Sequence, residues 1–428
     1  PLILISVSAN YLIGCLIIKA KSYKKLILIL GILFNLFLLG YFKYADFFLS
    51  NFNFLFLTNY SMLYIVLPLA ISFFTFQQIA FLADSYKGFV DRPSFLNYIV
   101  FVTFFPQLIA GPIVHHKEMM PQYSKLLNKN ISYKNIYLGI FIFSLGLFKK
   151  TVIADNFSVW ATNGYDLMDS LHFIEAWITS LSYTFQLYFD FSGYTDMAVG
   201  AALLFNIKLP LNFNSPYKSI NIRDFWKRWH ITLSRFLRDY VYIPIGGNKK
   251  GNVKLYSNLL VTFLIGGLWH GAGWTFIFWG FLHAIAIIFH RIWCNLGFRL
   301  NKYFAWFITF NFINLTWIFF RAEHWDDAIK IIKGMLGFSG FMLPNILKEI
   351  FIFQESKIFV DVFENFNGDS EISFWIPFAF ILCLFFKNSN QIISSFSLNN
   401  KTIVFIVSIL LISLMNLEKN VEFIYFNF

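Results

Sequence analysis

The sequence has few charged residues, few cysteines and none of the common motifs of soluble enzymes. Charged side chains make up 13% of the 428 residues and hydrophobic ones 57%, which is too apolar for a soluble globular protein. Three cysteines without C-x-x-C spacing indicate neither a disulfide framework nor a zinc site. G-x-S-x-G, P-loop and G-x-G-x-x-G motifs are also absent, which excludes recognisable serine hydrolases and nucleotidases.

Long apolar runs, in contrast, recur along the whole chain. There are about ten of them, near the ~20 residues that a membrane-spanning helix needs, and some are expected to be re-entrant. They predict an all-α, multi-pass membrane protein. The net charge of +11 comes from Lys and Arg clustered in short loops beside these runs, which is typical of cytoplasmic loops and argues against a nucleic-acid partner. Abundant Phe, Ile, Asn and Lys are typical of an AT-rich bacterial genome.

No soluble domain or repeat interrupts the runs, so we expect one membrane domain over residues 1–428. The first run begins directly after Pro1, without a charged region or cleavage site, and we expect that further native residues precede it. If Lys387 and Lys401 lie on the inner face, the last span, Thr402–Met415, ends outside. Residues 402–428 are then a final helix with an extracytoplasmic tail that contains Tyr425.

Several polar side chains interrupt the apolar stretch Ser180–Leu204 at helical spacings, among them Asp190 and Asp196. Such groups normally face the interior of a helix bundle. They form either a hydrogen-bonded packing face or the wall of a site.

The longest basic stretch, Asn212–Asp239, mixes cations with aromatic residues and contains His230. One interpretation is an amphipathic helix at the lipid headgroups, where His230 would have an interfacial role. Another is that its cations bind a phosphate-rich donor, and the two are compatible. The candidate donor-binding residues are Lys227, Arg228, Arg235 and Arg238.

His270 lies between two apolar segments and next to Gly271 and Gly273. Small neighbours allow a substrate or another backbone to approach closely. A neutral imidazole is a common general base near neutral pH, although a helix-packing histidine is an equal alternative.

Other histidines give weaker signals. His283 and His290 share a helical face, but no carboxylate or cysteine completes metal-binding spacing, so we expect no metal. The pair His115 and His116 lies in a predicted loop and is expected to be solvated.

At these positions the sequence resembles the membrane-bound O-acyltransferase superfamily, and specifically its bacterial branch of alginate O-acetylation proteins and peptidoglycan O-acetyltransferase membrane components. The resemblance covers most of the chain. The segments that carry it include Tyr188–Tyr194, Asn212–Tyr217, Phe225–His230, Tyr242–Gly247, Leu268–Gly271 and Trp317–Ala322.

The resemblance implies a helical bundle ringed around a thin central funnel, with the invariant histidine of the family at His270 and its second polar position at His230. It also implies that an acyl thioester enters from the cytoplasm. The tail 423–428 is similar to the terminal aromatic-tyrosine motif of small partner peptides in teichoic-acid D-alanylation, which implies a tyrosyl ester on Tyr425. A phenol is a poor nucleophile near neutral pH, so attack on a thioester needs a base such as His270. Interfacial anchoring is the alternative role of Tyr425.

We therefore expect an O-acetyltransferase of the bacterial inner membrane that takes acetyl from cytoplasmic acetyl-CoA and delivers it outward for O-acetylation of a cell-wall polysaccharide. Peptidoglycan is preferred to alginate or another exopolysaccharide because of the AT-rich composition. The resemblance implies a periplasmic serine-hydrolase-like transferase as partner. D-Alanyl transfer from a carrier protein and non-catalytic transport of an acylated carrier are the alternatives. The roles of Asp190, Asp196 and Arg321 stay open.

Overall fold

The computed structural model describes residues 1–91, 93–125, 128, 130–341, 343–344, 359–360, 371–397, 399–417 and 424. These residues are mainly helical, and one short parallel pairing joins β1 (Leu343–Pro344) to β2 (Phe359–Val360). Within the described ranges, 5 helical stretches are long and apolar enough to cross a membrane: Leu2–Lys19, Lys24–Phe56, Tyr133–Leu167, Trp274–Asn295 and Lys302–Arg321. The predicted all-α, multi-pass membrane bundle is confirmed.

The helices of the first half are α1 (Leu2–Lys19), α2 (Lys24–Leu39), α3 (Ala45–Phe56), α4 (Ile71–Tyr86), α5 (Phe95–Thr103), α6 (Phe105–Leu108), α7 (His116–Ser124), α8 (Tyr133–Phe148), α9 (Asp155–Thr162) and α10 (Phe173–Leu204). Those of the second half are α11 (Ile222–Trp226), α12 (Ile231–Leu237), α13 (Gly251–His270), α14 (Trp274–Asn295), α15 (Lys302–Arg321), α16 (Trp325–Met335), α17 (Ile372–Phe385), α18 (Ser389–Ser394) and α19 (Asn400–Met415). π-Helical turns follow α2 (Gly40–Tyr44), α8 (Lys149–Ala154), α9 (Asn163–Leu167) and α12 (Arg238–Tyr242).

The apolar segments at Lys43 and at Pro106 form different structures. The apolar run after Lys25 forms α2 and continues through the turn Gly40–Tyr44 into α3. The run looks shorter in the sequence because Lys43 interrupts it, although this lysine is bound inside the protein. Near Pro106 the helix is broken instead, since α5 ends at Thr103 and α6 is a separate short helix.

The longest helix, α10, packs against α8 through glycines that let the two backbones touch. A Cβ atom on Gly200 would lie 2.6 Å from the carbonyl oxygen of Gly139, and one on Gly193 would lie 2.7 Å from that of Gly146. Small residues at such crossings are how membrane helices gain close packing, because lipid gives no hydrophobic drive for helix association. The α8–α10 pair therefore forms a tight central wall.

The N-terminal helices are joined by polar contacts in an apolar setting. Asn10 of α1 and Asn35 of α2 exchange two side-chain amide hydrogen bonds, of 3.1 and 2.6 Å. Ser6 of α1 also bonds Gln78 of α4. Buried amides of this kind fix the relative positions of membrane helices. They join α1, α2 and α4 into one layer.

Candidate active site

His270 is the last residue of α13, and its position is fixed by the glycines around it. Gly271 is extended (φ −159°) and ends the helix. A Cβ atom on Gly271 would lie 2.1 Å from the Phe276 ring, so the chain can turn tightly there only without a side chain. Gly267 and Gly280 then let α13 and α14 touch, since a Cβ atom on either would lie 2.3 Å from a backbone oxygen of the other helix.

The ring of His270 lies within an aromatic cage and is only 3% exposed. Its centroid lies 4.9 Å from Trp269, 5.3 Å from Trp279 and 4.9 Å from Phe320. The ring of His230 is 6.3 Å away. The two histidines that the sequence singled out, 40 positions apart in the chain, are therefore close neighbours in the fold.

His230 is held in a strained and specific geometry. Its φ is +41°, in the left-handed region that non-glycine residues seldom adopt. Nδ1 lies 3.1 Å from Oδ1 of Asn212, which also accepts from the hydroxyl of Thr232 at 2.8 Å. Because an amide oxygen only accepts, Nδ1 of His230 carries the proton. Its Nε2 has no hydrogen-bond partner among the described residues, which leaves that acceptor for a bound molecule.

A cavity of about 340 Å³ connects His270 with a group of cations. Its walls come from the α11–α12 segment, α13 and α14, and both Trp279 and Arg291 of α14 line it. These two residues are 12 positions apart, about 18 Å along a helix axis. The cations on its lining are Arg223, Lys227, Arg238 and Arg291. The shape suits an elongated ligand with an anionic end.

The four predicted donor-binding residues divide into two groups. Lys227 and Arg238 line the cavity. Arg228 instead pairs with Asp224 at 2.9 Å, and Arg235 forms a two-armed ion pair with Glu118 at 2.5 and 3.0 Å. Neither is among the lining residues.

Sequence reasoning missed two cations of the lining, Arg223 and Arg291. Arg223 lies in the same basic stretch, so its neighbours were a usable signal. Arg291 follows the end of an apolar run, where a positive charge is ordinarily explained by the membrane surface. Only the packing of α14 beside α11 shows that both face one cavity.

The side chains of His283 and His290 have different surroundings and do not share one site. His283 is fully buried, and its Nδ1 accepts from the indole N–H of Trp226 at 3.2 Å. His290 lies beside Cys294 at the end of α14. Within the described ranges, no group of three or more His, Cys, Asp or Glu could hold a metal ion.

The expectation that His115 and His116 are solvated is wrong. They are 3% and 8% exposed, because the loop before α7 folds under the α12 segment. Nδ1 of His115 lies 3.0 Å from the hydroxyl of Tyr240, which donates to Asp84 at 2.9 Å. Burial lowers the pKa of His115 to about 4, so its ring is neutral at physiological pH.

The acidic groups of α10 are ion-paired with the turn after α8. Lys149 lies 2.6 Å from Asp196, and Lys150 lies 2.9 Å from Asp190 and 2.7 Å from Asp155. We call these five residues the α10 ion-pair cluster. At the end of α15, Arg321 pairs with Asp166 at 2.5 Å. All three residues whose roles were open are therefore tied into ion pairs.

Within the C-terminal tail 423–428, the structure describes Ile424. Ile424 is buried, and its backbone N–H donates to Asp190 at 3.2 Å. The next residue along α10, Phe191, contacts the ring of His230 with centroids 4.8 Å apart. Tyr425 itself lies outside the described residues.

Comparisons with known proteins identify the class to which this fold and site belong. Residues 84–321 match the model of MBOAT, the membrane-bound O-acyltransferase family. The match covers more than half of the chain and includes both His230 and His270. The chain therefore belongs to this family, and it is a membrane acyltransferase.

Particular relatives are similar over most of the chain. A protein named peptidoglycan O-acetyltransferase, from Helicobacter pylori, is 50% identical over 94% of this chain and 80% of its own length. A Pseudomonas aeruginosa protein named "Probable alginate O-acetylase AlgI" is 38% identical over 79% of this chain and 66% of its own length. The teichoic acid D-alanyltransferase of Bacillus subtilis is 31% identical over 56% of this chain and 61% of its own length.

Proposed function

We propose that this protein transfers acetyl from acetyl-CoA on the cytoplasmic side to its own Tyr425, for onward O-acetylation of peptidoglycan by a periplasmic partner. The observation that carries the proposal is the cavity that joins His270 to the cations. Arg223, Lys227 and Arg291 have no ion-pair partner among the described residues. Unpaired cations that line an elongated cavity suit the phosphates of a CoA thioester.

In the proposed reaction His270 is the general base. It accepts the phenolic proton of Tyr425 as the phenolic oxygen attacks the thioester carbonyl carbon. The carbon–sulfur bond breaks, CoA leaves as a thiolate, and the proton returns to that sulfur. The product is a phenyl ester, an activated donor for a sugar hydroxyl.

His230, whose ring lies 6.3 Å from that of His270, supports the same reaction. Asn212 fixes the proton of His230 on Nδ1, so Nε2 is an acceptor that can bind and orient the incoming hydroxyl. Ile424, the residue before Tyr425, donates its backbone N–H to Asp190. Asp190 precedes Phe191, whose ring contacts His230. This bond therefore favours Tyr425 as the acceptor.

Mass spectrometry of the C-terminal peptide tests the donor, the base and the acceptor together. Purified protein in nanodiscs is incubated with acetyl-CoA, and wild type is compared with His270→Ala and Tyr425→Phe. We expect one acetyl increment on Tyr425 in wild type and none in either variant. An acetyl increment on Tyr425 in His270→Ala would contradict the role of His270 as the base. Acetyl transfer without an increment on Tyr425 would contradict the role of Tyr425 as the intermediate acceptor.

The polysaccharide acceptor is tested separately in cells. The similarity to the Helicobacter protein supports peptidoglycan, and we expect gene deletion to remove O-acetyl groups from purified peptidoglycan. Unchanged O-acetyl content would contradict this assignment.

D-Alanyl transfer is a second candidate, which the similarity to the Bacillus protein supports. The same tail assay with a D-alanyl carrier protein as donor separates the two, since the increments differ in mass.

A further inference from the structure

Lys43 binds the helix end that carries His270. It lies in the π-helical turn Gly40–Tyr44, within the apolar stretch Lys24–Phe56. Its Nζ lies 2.7 Å from the carbonyl oxygen of Trp269 and 3.1 Å from that of His270. The hydroxyl of the next residue, Tyr44, donates to the carbonyl of Leu268 at 2.6 Å. Two consecutive side chains thus bind three consecutive carbonyls, and we call Lys43 and Tyr44 the carbonyl clamp.

The charge of Lys43 has no ordinary counter-ion. In the part of the chain that the structure describes, no carboxylate lies within 4.0 Å of its Nζ. A cation in a membrane-spanning stretch is costly and is normally paired. Here the partial negative charge of the α13 C-terminus takes the place of a carboxylate. A hydrophobic residue would avoid that cost, so the lysine indicates a function.

The donor count decides between two roles for Lys43. An ammonium group has three N–H donors, and three oxygens surround this one: the two carbonyls and the hydroxyl of Ser72 at 3.3 Å. No donor is left to polarise a thioester carbonyl. Lys43 therefore acts on the reaction through α13 and not by touching substrate.

We propose that Lys43 is a positioning residue, which holds the last turn of α13 so that the His270 ring stays beside His230 and the cavity. The inference rests on the proposed function of His270 as base. The glycines that follow His270 permit the tight turn but cannot by themselves hold it, and free helix-end carbonyls fray readily. Displacement of a base by about 1 Å is enough to reduce turnover about 100-fold.

Steady-state kinetics of purified variants with acetyl-CoA, measured with an added acceptor that removes the ester from Tyr425, tests the role. We expect Lys43→Met to lower kcat about 100-fold with KM changed less than about twofold, because orientation and not binding is lost. Lys43→Arg keeps a cation and should recover kcat to within about tenfold of wild type. Tyr44→Phe removes one bond of the clamp without a charge change and should lower kcat only a few-fold. Lys25→Met, on the exposed part of α2, is the matched control and should behave as wild type.

Hydrogen exchange of the peptide that covers 264–274 gives a readout independent of activity. We expect faster exchange in Lys43→Met than in wild type, and no change in Lys25→Met. Unchanged exchange, wild-type kcat in Lys43→Met, or a raised KM with unchanged kcat would each overturn the positioning role. If wild type fails to use acetyl-CoA while exchange still rises in Lys43→Met, the proposed donor fails and the clamp stands.

Discussion

The α10 ion-pair cluster and the cations of the cavity are two strongly charged regions of one membrane protein. They differ in whether the protein itself supplies ion-pair partners for the charges. In the cluster, every lysine has a carboxylate partner at 2.6–2.9 Å. On the cavity lining, only Arg238 has an ion pair among the described residues, with Asp239. The protein thus supplies its own counter-charge where the charges are structural, and leaves cations unpaired where a ligand is expected.

We expect the largest effect at His270, which lines the cavity. His270→Ala should lower the rate of acetyl transfer about 10³-fold, equal to about 4 kcal/mol in the barrier, because the general base is lost. Initial rates in nanodiscs measure it. His283→Gln is the control, since this buried histidine is not among the lining residues, and its rate should stay within about tenfold. Equal losses would mean that both histidines serve packing.

Removing one charge from the cluster should mainly reduce stability. Asp190→Asn leaves Lys150 with Asp155 alone, and we expect a loss of about 3 kcal/mol in the free energy of unfolding, at the low end for a broken buried pair. Asp239→Asn breaks the exposed pair with Arg238 and should cost less than about 1 kcal/mol. Denaturant unfolding in detergent compares them. Equal losses in the two variants would contradict a structural role for the cluster.

The contact between α13 and α14 should be less costly to disturb. Gly280→Ala adds a Cβ atom that would lie 2.3 Å from a backbone oxygen of Phe263, so the helices must move apart, at a cost of about 2 kcal/mol. Gly40→Ala is the matched control, because nothing lies within 4 Å of its Cβ position. Thermal unfolding that is equal in the two variants would contradict the close crossing.

The smallest effect is expected at the unpaired cations, and it should appear in KM. Arg223→Ala combined with Lys227→Ala should raise KM for acetyl-CoA about tenfold with little change in kcat, because only binding of the phosphates is lost. Arg235→Ala should leave KM unchanged, since Arg235 is paired with Glu118. The reverse result would restore the interpretation of Arg235 as a donor-binding residue.

The sequence predicted the membrane class, which follows from apolar length, and its motifs singled out His230 and His270. It did not predict which cations are free. Arg235 and Glu118 are 117 positions apart, and nothing local in either segment indicates their pairing.

Lys43 was missed because its place in the sequence is typical of a residue at the membrane surface. A lysine at the apparent end of an apolar run is explained by the membrane surface, and its real partners are more than 220 positions away. The burial of His115 was mispredicted in the same way, because its cover comes from Tyr240, 125 positions later.

The hydrogen bond from Ile424 to Asp190 has a kinetic consequence. Under the proposed function, the acceptor is covalently part of the enzyme, so its effective concentration is set by the tether and not by supply. Each chain can then take up one acetyl group before it must be unloaded. Purified protein should give a burst of one equivalent followed by a stall, and steady turnover should begin only when an acceptor that removes the ester is added.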